Sequence, residues 1–421
     1  MSSSLLKIKR LFSKQWLLVS ALVFLLLFQL FYSFLFPAYG SNDNWQPVAT
    51  YLPKFQVQAN DSFLLEKVYP LISSEYRLSS DIGHNLELAL NFNAEYFDGH
   101  TFLSRPLYPF LIYLLSLPVS LFVTPSYGII FGLAIFLNFI LITLAVLLLF
   151  SVLKKLLSLK VAFLSSVLLI FSPYVRASLI QPLAEMLMVF VLSLTAYLLY
   201  SYIKKPSTFK LVTYSLIIGV CMLGKMFFAI SFFILLLAIY FRRYKEGIIF
   251  LIIHLIPLGW WYLWVTQVWY LPYYIHEAQH FRMGLWLLDV FKWSWYETAR
   301  VFLAAVPNFI RALIYGFLLI PVFFSIIGFK ALLFKNKNVF YFGSLFSVFV
   351  LFFIMNLYFA HHAFLLFPII YPAAVLGIDR IAACLKSYQS WLSPVFYTII
   401  IGLIIIISNI NIYKVFDYIG F

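Results

Sequence analysis

The side chains best suited to chemistry are concentrated between Pro37 and Arg105, in a chain that is otherwise strongly apolar. Eight of the fifteen Asp and Glu residues lie there: Asp43, Asp61, Glu66, Glu75, Asp81, Glu87, Glu95 and Asp98. A carboxylate can accept the proton of an attacking hydroxyl or amide, or hold a metal ion on a diphosphate. Any single acid is by default a solvated loop residue, but acids gathered beside membrane helices indicate a reaction site.

Asp81 stands out among these acids because of the residues that follow it. It begins an amphipathic run that contains His84 and Glu87, and the pattern predicts a membrane-surface helix capped by Asp81. A short polar segment then leads to the step Arg105-Pro106 and an apolar helix. We therefore expect this segment to fold back against the bilayer.

The composition predicts an all-α polytopic membrane protein. The chain has 421 residues, of which 64% are hydrophobic and 10% charged, and its mean hydropathy is +0.98. A soluble core does not require so much apolar sequence. The net charge of +14 comes from basic clusters between apolar runs, which is the positive-inside pattern and not a nucleic-acid surface. Cys221 and Cys384 fall in different spans and indicate no disulfide framework.

The apolar runs predict about eleven spans in a single membrane domain over residues 1–421. Basic residues before the first span place the N-terminus in the cytoplasm of a plasma (inner) membrane protein. The first extracytoplasmic loop covers 37–123 and ends in a juxtamembrane helix, and a second, amphipathic loop covers 267–307. The predicted spans are 16–36, 127–150, 158–175, 180–201, 209–224, 226–241, 247–266, 308–329, 339–359, 363–379 and 393–411.

Three ionisable residues lie within or beside the predicted spans. Arg176 and Glu185 flank the turn between the third and fourth spans, where they either form an ion pair or take part in the site. Lys225 stands between two short spans. It either binds a lipid phosphate or extends to the headgroups.

Histidines form two further candidate groups. His276 and His280 match the HExxH pattern of zinc proteases, which places both imidazoles on one helix face. With Arg282 nearby, the same cluster also suits a diphosphate or a divalent ion, and otherwise it is an interfacial helix. His361 and His362 lie in a late outer turn, where they either donate to a phosphate or sit at the interface.

One motif in the first loop is similar to that of a known family. Asp81-x-x-His84-x-x-Glu87-x-Ala89, followed by Arg105-Pro106-Leu-Tyr108-Pro109 and an apolar helix, resembles the first outer loop of the GT-C superfamily. These are the polyprenyl-phosphate-dependent membrane glycosyltransferases, including protein O-mannosyltransferases and the aminoarabinose transferases of lipid A. The motif covers about thirty residues, while the membrane plan of the family covers the whole chain.

The resemblance implies a transferase that uses a polyprenyl-phosphate-linked sugar and a lipid, glycan or protein acceptor, on the extracytoplasmic face. Asp81 then stands for the catalytic acid, with Asp43 as the fallback because the family's acid usually follows the first span closely. His84 stands where an aromatic or a second acid is common, which leaves the use of a divalent metal ion open. The candidates to stabilise the leaving phosphate are Arg105, Lys225, Arg282, His361 and His362.

Two other classes of function remain as alternatives. A lipid-linked oligosaccharide flippase or other transporter needs ionisable groups spread through the middle of the helix bundle, whereas here most of them lie at one face. An intramembrane zinc metalloprotease would use His276 and His280 as metal ligands.

Overall fold

The structure is a computed structural model that describes residues 2–35, 45–47, 77–93, 97, 106–224, 243–271, 294–296, 299, 310, 313–314, 316–334 and 364–409. Helices dominate these residues. In chain order they are α1 Ser2–Leu35, α2 Ser80–Leu90, α3 Leu107–Ser120, α4 Tyr127–Leu156, α5 Leu159–Ile170, α6 Pro173–Leu179, α7 Glu185–Lys204, α8 Thr208–Met222, α9 Tyr244–Leu263, α10 Leu319–Phe334, α11 Phe367–Tyr388 and α12 Leu392–Asn409. A π-helical turn, Trp264–Val268, extends α9, and a 3₁₀ turn, Phe364–Leu366, precedes α11.

Five of the described helices are long and apolar enough to cross a membrane, and the bent pair α5–α6 adds a sixth if it forms one span. The five candidate spans are Gln15–Ser33, Tyr127–Leu156, Glu185–Lys204, Tyr244–Val268 and Phe367–Tyr388. This is the architecture of a helical multi-pass membrane protein. The predicted spans 226–241 and 339–359 lie outside the described residues, so the count of eleven stays a prediction.

The predicted span 158–175 is interrupted. Its residues form α5 and the start of α6, and the two helices are bent by 51°. The side-chain oxygen of Ser172 accepts a hydrogen bond of 3.1 Å from the backbone of Val175, and Pro173 opens α6. A serine N-cap followed by proline is a strong helix start signal, and here it breaks the apolar run. The next helix begins at Glu185 and not at residue 180.

The described parts of the first predicted loop, 37–123, contain two short strands and two helices. Strands β1 (Trp45–Pro47) and β2 (Arg77–Ser79) form an antiparallel pair in which Gln46 faces Leu78, and β2 leads directly into α2. Helix α3 has 14 residues, which is about 21 Å and shorter than the roughly 30 Å hydrocarbon core. This length favours the prediction that α3 does not cross the membrane.

Close helix packing holds the bundle together in two places. At the contact of α10 with α11, a Cβ atom added to Gly328 would overlap the backbone carbonyl of Ala373, and one added to Gly377 would overlap that of Phe324. At the contact of α8 with α9, a Cβ atom added to Gly219 would overlap the backbone carbonyl of His254. Small residues let membrane helices approach closely. Because lipid tails are as apolar as the helix surfaces, the hydrophobic effect does not bring such helices together, and dispersion contacts stabilise their packing instead.

Candidate functional site

Helix α2, from the acidic first loop, packs against the helix bundle. It contacts α3 and α4, and Leu86, Leu88 and Ala89 are each 1% exposed or less. This apolar face explains why the segment folds onto the bundle, since burying such side chains contributes about 1.5–3 kcal/mol for each large one. The backbone of Asp81 lies in the first turn of this packed helix.

A hydrogen bond attaches α2 to the turn between α6 and α7. The side-chain amide of Asn85 donates to the carbonyl of Pro182 over 3.1 Å, and Asn85 is buried. Asp81 precedes Asn85 by four residues, so both positions lie on the same face of α2. The turn that receives this bond lies between Arg176 and Glu185 in the chain.

Arg176 lies buried on α6, close to two other helices. Its guanidinium carbon is 5.0 Å from the centre of the Tyr32 ring on α1, and its Nη1 atom donates to the Ser408 carbonyl on α12 over 3.4 Å. Buried cations in a membrane protein usually pair or line a polar cavity. Here the cation joins α1, α6 and α12 beside the turn to which α2 is attached.

A network of buried side chains also holds the turn between α6 and α7. The hydroxyl of Tyr108 on α3 donates to Asn138 Oδ1 on α4 over 2.9 Å. The amide nitrogen of Asn138 then donates to the carbonyls of Ser178, Leu179 and Gln181, at 3.4, 3.3 and 2.6 Å. One asparagine thereby satisfies backbone acceptors at the end of α6, where the helix leaves carbonyls unpaired.

Tyr108 connects this network to Glu185. Burial raises the pKa of Tyr108 well above its usual value, and the nearby negative charge of Glu185 raises that pKa further, while the hydrogen bond to Asn138 lowers it. The phenol therefore stays protonated and acts as a donor to Asn138.

The beginning of α3 also contacts the end of α8. The backbone nitrogen of Leu107 donates to the carbonyl of Leu223 over 3.1 Å. This bond joins chain segments that lie two residues from Arg105 and two residues from Lys225, both of them candidates for binding a phosphate.

A cluster of aromatic rings ties the first loop to the end of α9. Phe97 is fully buried, and its ring centre lies 5.0 Å from that of Phe92, 6.2 Å from Trp261 and 5.4 Å from Trp269. Trp269 belongs to the predicted second loop, 267–307. The two predicted extracytoplasmic loops are therefore in contact, which the sequence did not indicate.

The predicted site residues divide into those that the structure describes and those outside it. The backbones of Asp81 and His84 and the half-buried Glu87 lie on α2, and Arg176 and Glu185 flank the turn that α2 contacts. Among the described residues, no group of three His, Cys, Asp or Glu side chains is arranged to hold a metal ion. The candidates outside the described residues are Asp43, Arg105, Lys225, His276, His280, Arg282, His361 and His362.

The uncharged polar residues of the site were not singled out from the sequence. Asn85 and Asn138 make the bonds that position α2 and the turn, yet an isolated asparagine in an apolar run does not reveal its partner. Gln29 and Ser33 on α1 are fully buried as well. Amide side chains are rare in membrane helices, where a polar group usually makes a hydrogen bond between helices. Their presence in the apolar runs could have pointed to these contacts.

Neither a protein-family model nor a curated protein sequence matches the chain. The likeness to the GT-C superfamily therefore depends on the residues of the first loop quoted above.

Proposed function

We propose that this chain is a membrane glycosyltransferase that moves a sugar from a polyprenyl-phosphate carrier to a lipid, glycan or protein acceptor on the extracytoplasmic face. The hydrogen bond from Asn85 to Pro182 is the observation that supports this most. It attaches the helix containing Asp81 to the turn between Arg176 and Glu185. A carboxylate on a helix that is fixed to the bundle near a buried arginine suits a reaction between a lipid phosphate and a polar acceptor.

In the proposed reaction, Asp81 accepts the proton of the attacking hydroxyl or amide. The acceptor atom bonds to the anomeric carbon of the sugar as the bond from that carbon to the phosphate oxygen breaks. The polyprenyl phosphate leaves with the electron pair of that bond. Cations placed near its oxygens stabilise the charge that develops on them.

Arg105 and Lys225 are the pair proposed for this stabilising role. The backbone bond from Leu107 to Leu223 supports their acting together, because each lies two residues from that bond. Arg282, His361 and His362 are the further candidates in the proposal, and Asp43 is the fallback for the base.

The test uses the full chain reconstituted with short polyprenyl-phosphate hexoses and pentoses and with lipid, glycan and peptide acceptors, with and without EDTA, and measures acceptor-dependent release of the polyprenyl phosphate by mass spectrometry. We expect Asp81→Asn to slow release by about 10²-fold or more, as for loss of a general base. Asp61→Asn, the same change elsewhere in the first loop, serves as the matched control and keeps the activity. If Asp43→Asn alone abolishes release, Asp43 is the base, and if all three variants keep full activity the proposal is wrong.

One observation favours a flippase as the second candidate. The side chains of Gln29 and Ser33 are buried on α1 without a hydrogen-bond partner among the described residues, and polar groups inside a membrane bundle often line a pathway. By contrast, the mid-helix His254 on α9 bonds the carbonyl of Phe250 in its own helix over 3.1 Å. Movement of a labelled lipid-linked sugar across proteoliposomes without release of its phosphate would support the flippase.

A further inference from the structure

A patch of lysine and tyrosine side chains lies at the carboxyl ends of α4 and α7, away from the site described above. Helices α4 and α7 pack along each other. The last turn of α4 contains Lys154 and Lys155, and the last turn of α7 contains Lys204. Tyr197 and Tyr200 lie on α7 just before its last turn. We call these five residues the lysine–tyrosine patch.

Two ammonium groups in the patch converge on one aromatic ring. The Nζ atom of Lys155 lies 5.4 Å from the ring centre of Tyr200 and 5.8 Å from that of Tyr197. The Nζ atom of Lys204 lies 5.8 Å from the same Tyr200 ring. The negative face of an aromatic ring attracts each cation, but the two cations repel each other. An anion between them would remove this repulsion.

Three other basic residues in the described part of the chain have polar partners. Lys160 forms an ion pair with Asp379 at 2.8 Å, and Arg243 forms one with Glu246 at 3.2 Å. Lys210 donates instead to the backbone carbonyls of Ser201 and Lys205.

The patch differs from these residues in its charge balance. Within the described ranges, no carboxylate lies within ion-pair distance of Lys154, Lys155 or Lys204. The carboxyl ends of helices attract cations through their dipoles, which accounts for the presence of lysines there. The dipoles do not balance three full charges, so the patch keeps an excess of positive charge.

The position of the patch indicates what would neutralise it. Tyr127–Leu156 and Glu185–Lys204 are both long and apolar enough to span a membrane, so their ends reach the depth of the lipid headgroups. Lysines at that depth attract anionic lipids, and tyrosine rings prefer the same interfacial region. We propose that the lysine–tyrosine patch binds the phosphate headgroup of an anionic phospholipid, with Lys155 and Lys204 on either side of it. This proposal does not depend on the proposed sugar transfer.

The test is native mass spectrometry of the full chain in a neutral detergent, titrated with phosphatidylglycerol, with phosphatidylcholine, or with free glycerol phosphate. We expect the wild type to retain phosphatidylglycerol in preference to the other two. Each lysine near a headgroup contributes roughly a fivefold preference. The triple variant Lys154→Gln/Lys155→Gln/Lys204→Gln should therefore weaken phosphatidylglycerol binding by about 10²-fold, and each single variant by about fivefold.

The matched control is Lys330→Gln/Arg380→Gln/Lys386→Gln, which removes the same charge from α10 and α11. Lys386 also lies in the last turn of a candidate span, but among the described residues no tyrosine ring faces these three cations, so the control should weaken binding far less than the patch variant does. The triple Lys→Arg variant of the patch keeps the charge and should keep the binding. The single variants Lys155→Gln and Lys204→Gln should each weaken binding in the same direction, even if the triple variant does not fold. The proposal is wrong if the Lys→Gln patch variants bind phosphatidylglycerol as tightly as the wild type does, or if the control variant loses as much phosphatidylglycerol binding as the triple patch variant. It is also wrong if free glycerol phosphate binds the wild type as well as phosphatidylglycerol does.

Discussion

The hydroxyl of Tyr108 donates a hydrogen bond of 2.9 Å to the side-chain oxygen of Asn138, and both residues are buried. Through its amide nitrogen, Asn138 also donates to the carbonyl of Gln181 at 2.6 Å. This relationship connects α3, which follows the Arg105-Pro106 step, to the turn that receives Asn85 of α2. The side-chain amide of Asn138 therefore holds α3, α4 and the turn between α6 and α7 together.

Replacing Asn138 with leucine should destabilise the protein by about 1–3 kcal/mol. The change leaves the Tyr108 hydroxyl and several turn carbonyls without their present partner, and an unsatisfied buried polar group costs about that much. The measurement is unfolding in sodium dodecyl sulfate, followed by circular dichroism. Thr143→Val on the same helix is the control, because among the described residues the Thr143 hydroxyl bonds only the Phe139 carbonyl of its own helix. Equal stability of the two variants would contradict the role given to Asn138.

Gly328→Ala should be destabilising although alanine is the better helix former. A Cβ atom at this position would overlap the backbone of Ala373 on α11, and relieving such overpacking typically costs about 1–3 kcal/mol. Gly402→Ala on α12 is the matched control, since no heavy atom of the described residues lies within 4 Å of the added Cβ. That control should be neutral or stabilising by up to about 1 kcal/mol. Thermal melting of both variants in the same detergent makes the comparison, and a Gly328→Ala protein as stable as the wild type would refute the close contact.

Phe97→Ala should loosen the first loop from α9. The ring of Phe97 is fully buried against Phe92, Trp261 and Trp269, and removing such a ring costs about 3–5 kcal/mol. Hydrogen–deuterium exchange should show faster uptake in Ser80–Leu90 of this variant. Phe122→Ala, at a residue that is 86% exposed, should leave the exchange unchanged. Unchanged protection of α2 in both variants would show that the aromatic cluster does not hold the loop.

The apolar runs predicted the described membrane helices well, because run length is the main constraint on a spanning helix. The runs 127–150 and 247–266 fall on α4 and α9, and the run 16–36 falls on α1. The break inside 158–175 was readable from Ser172-Pro173, but the apolar residues on both sides outweighed that signal. A helix in the amphipathic run behind Asp81 was also predicted, with Asp81 as its cap. The structure confirms the helix but begins it at Ser80, so Asp81 lies in its first turn and is not the cap.

The contacts that assemble the site were not predictable in the same way. Asn85 bonds a proline carbonyl 97 residues away, and a single sequence contains no information on such a pairing. The contact between the two predicted extracytoplasmic loops depends on Phe97 and Trp269, whose aromatic character fits an interfacial belt equally well. Hydropathy specifies which segments are helices, whereas their mutual arrangement depends on packing that only the structure displays.

The most direct test of the central claim, that α2 lies on the turn between α6 and α7, is a cysteine cross-link. Asn85→Cys is combined with Leu183→Cys in a protein whose own cysteines are changed by Cys221→Ala and Cys384→Ala. A short bifunctional methanethiosulfonate reagent is applied in membranes, and the linked peptides are identified by mass spectrometry. Asn85→Cys with Lys386→Cys, at the far end of α11, is the control pair. We predict that the first pair cross-links and the control does not. If both thiols of the first pair react singly with the reagent but never become linked, α2 does not lie where the account requires it.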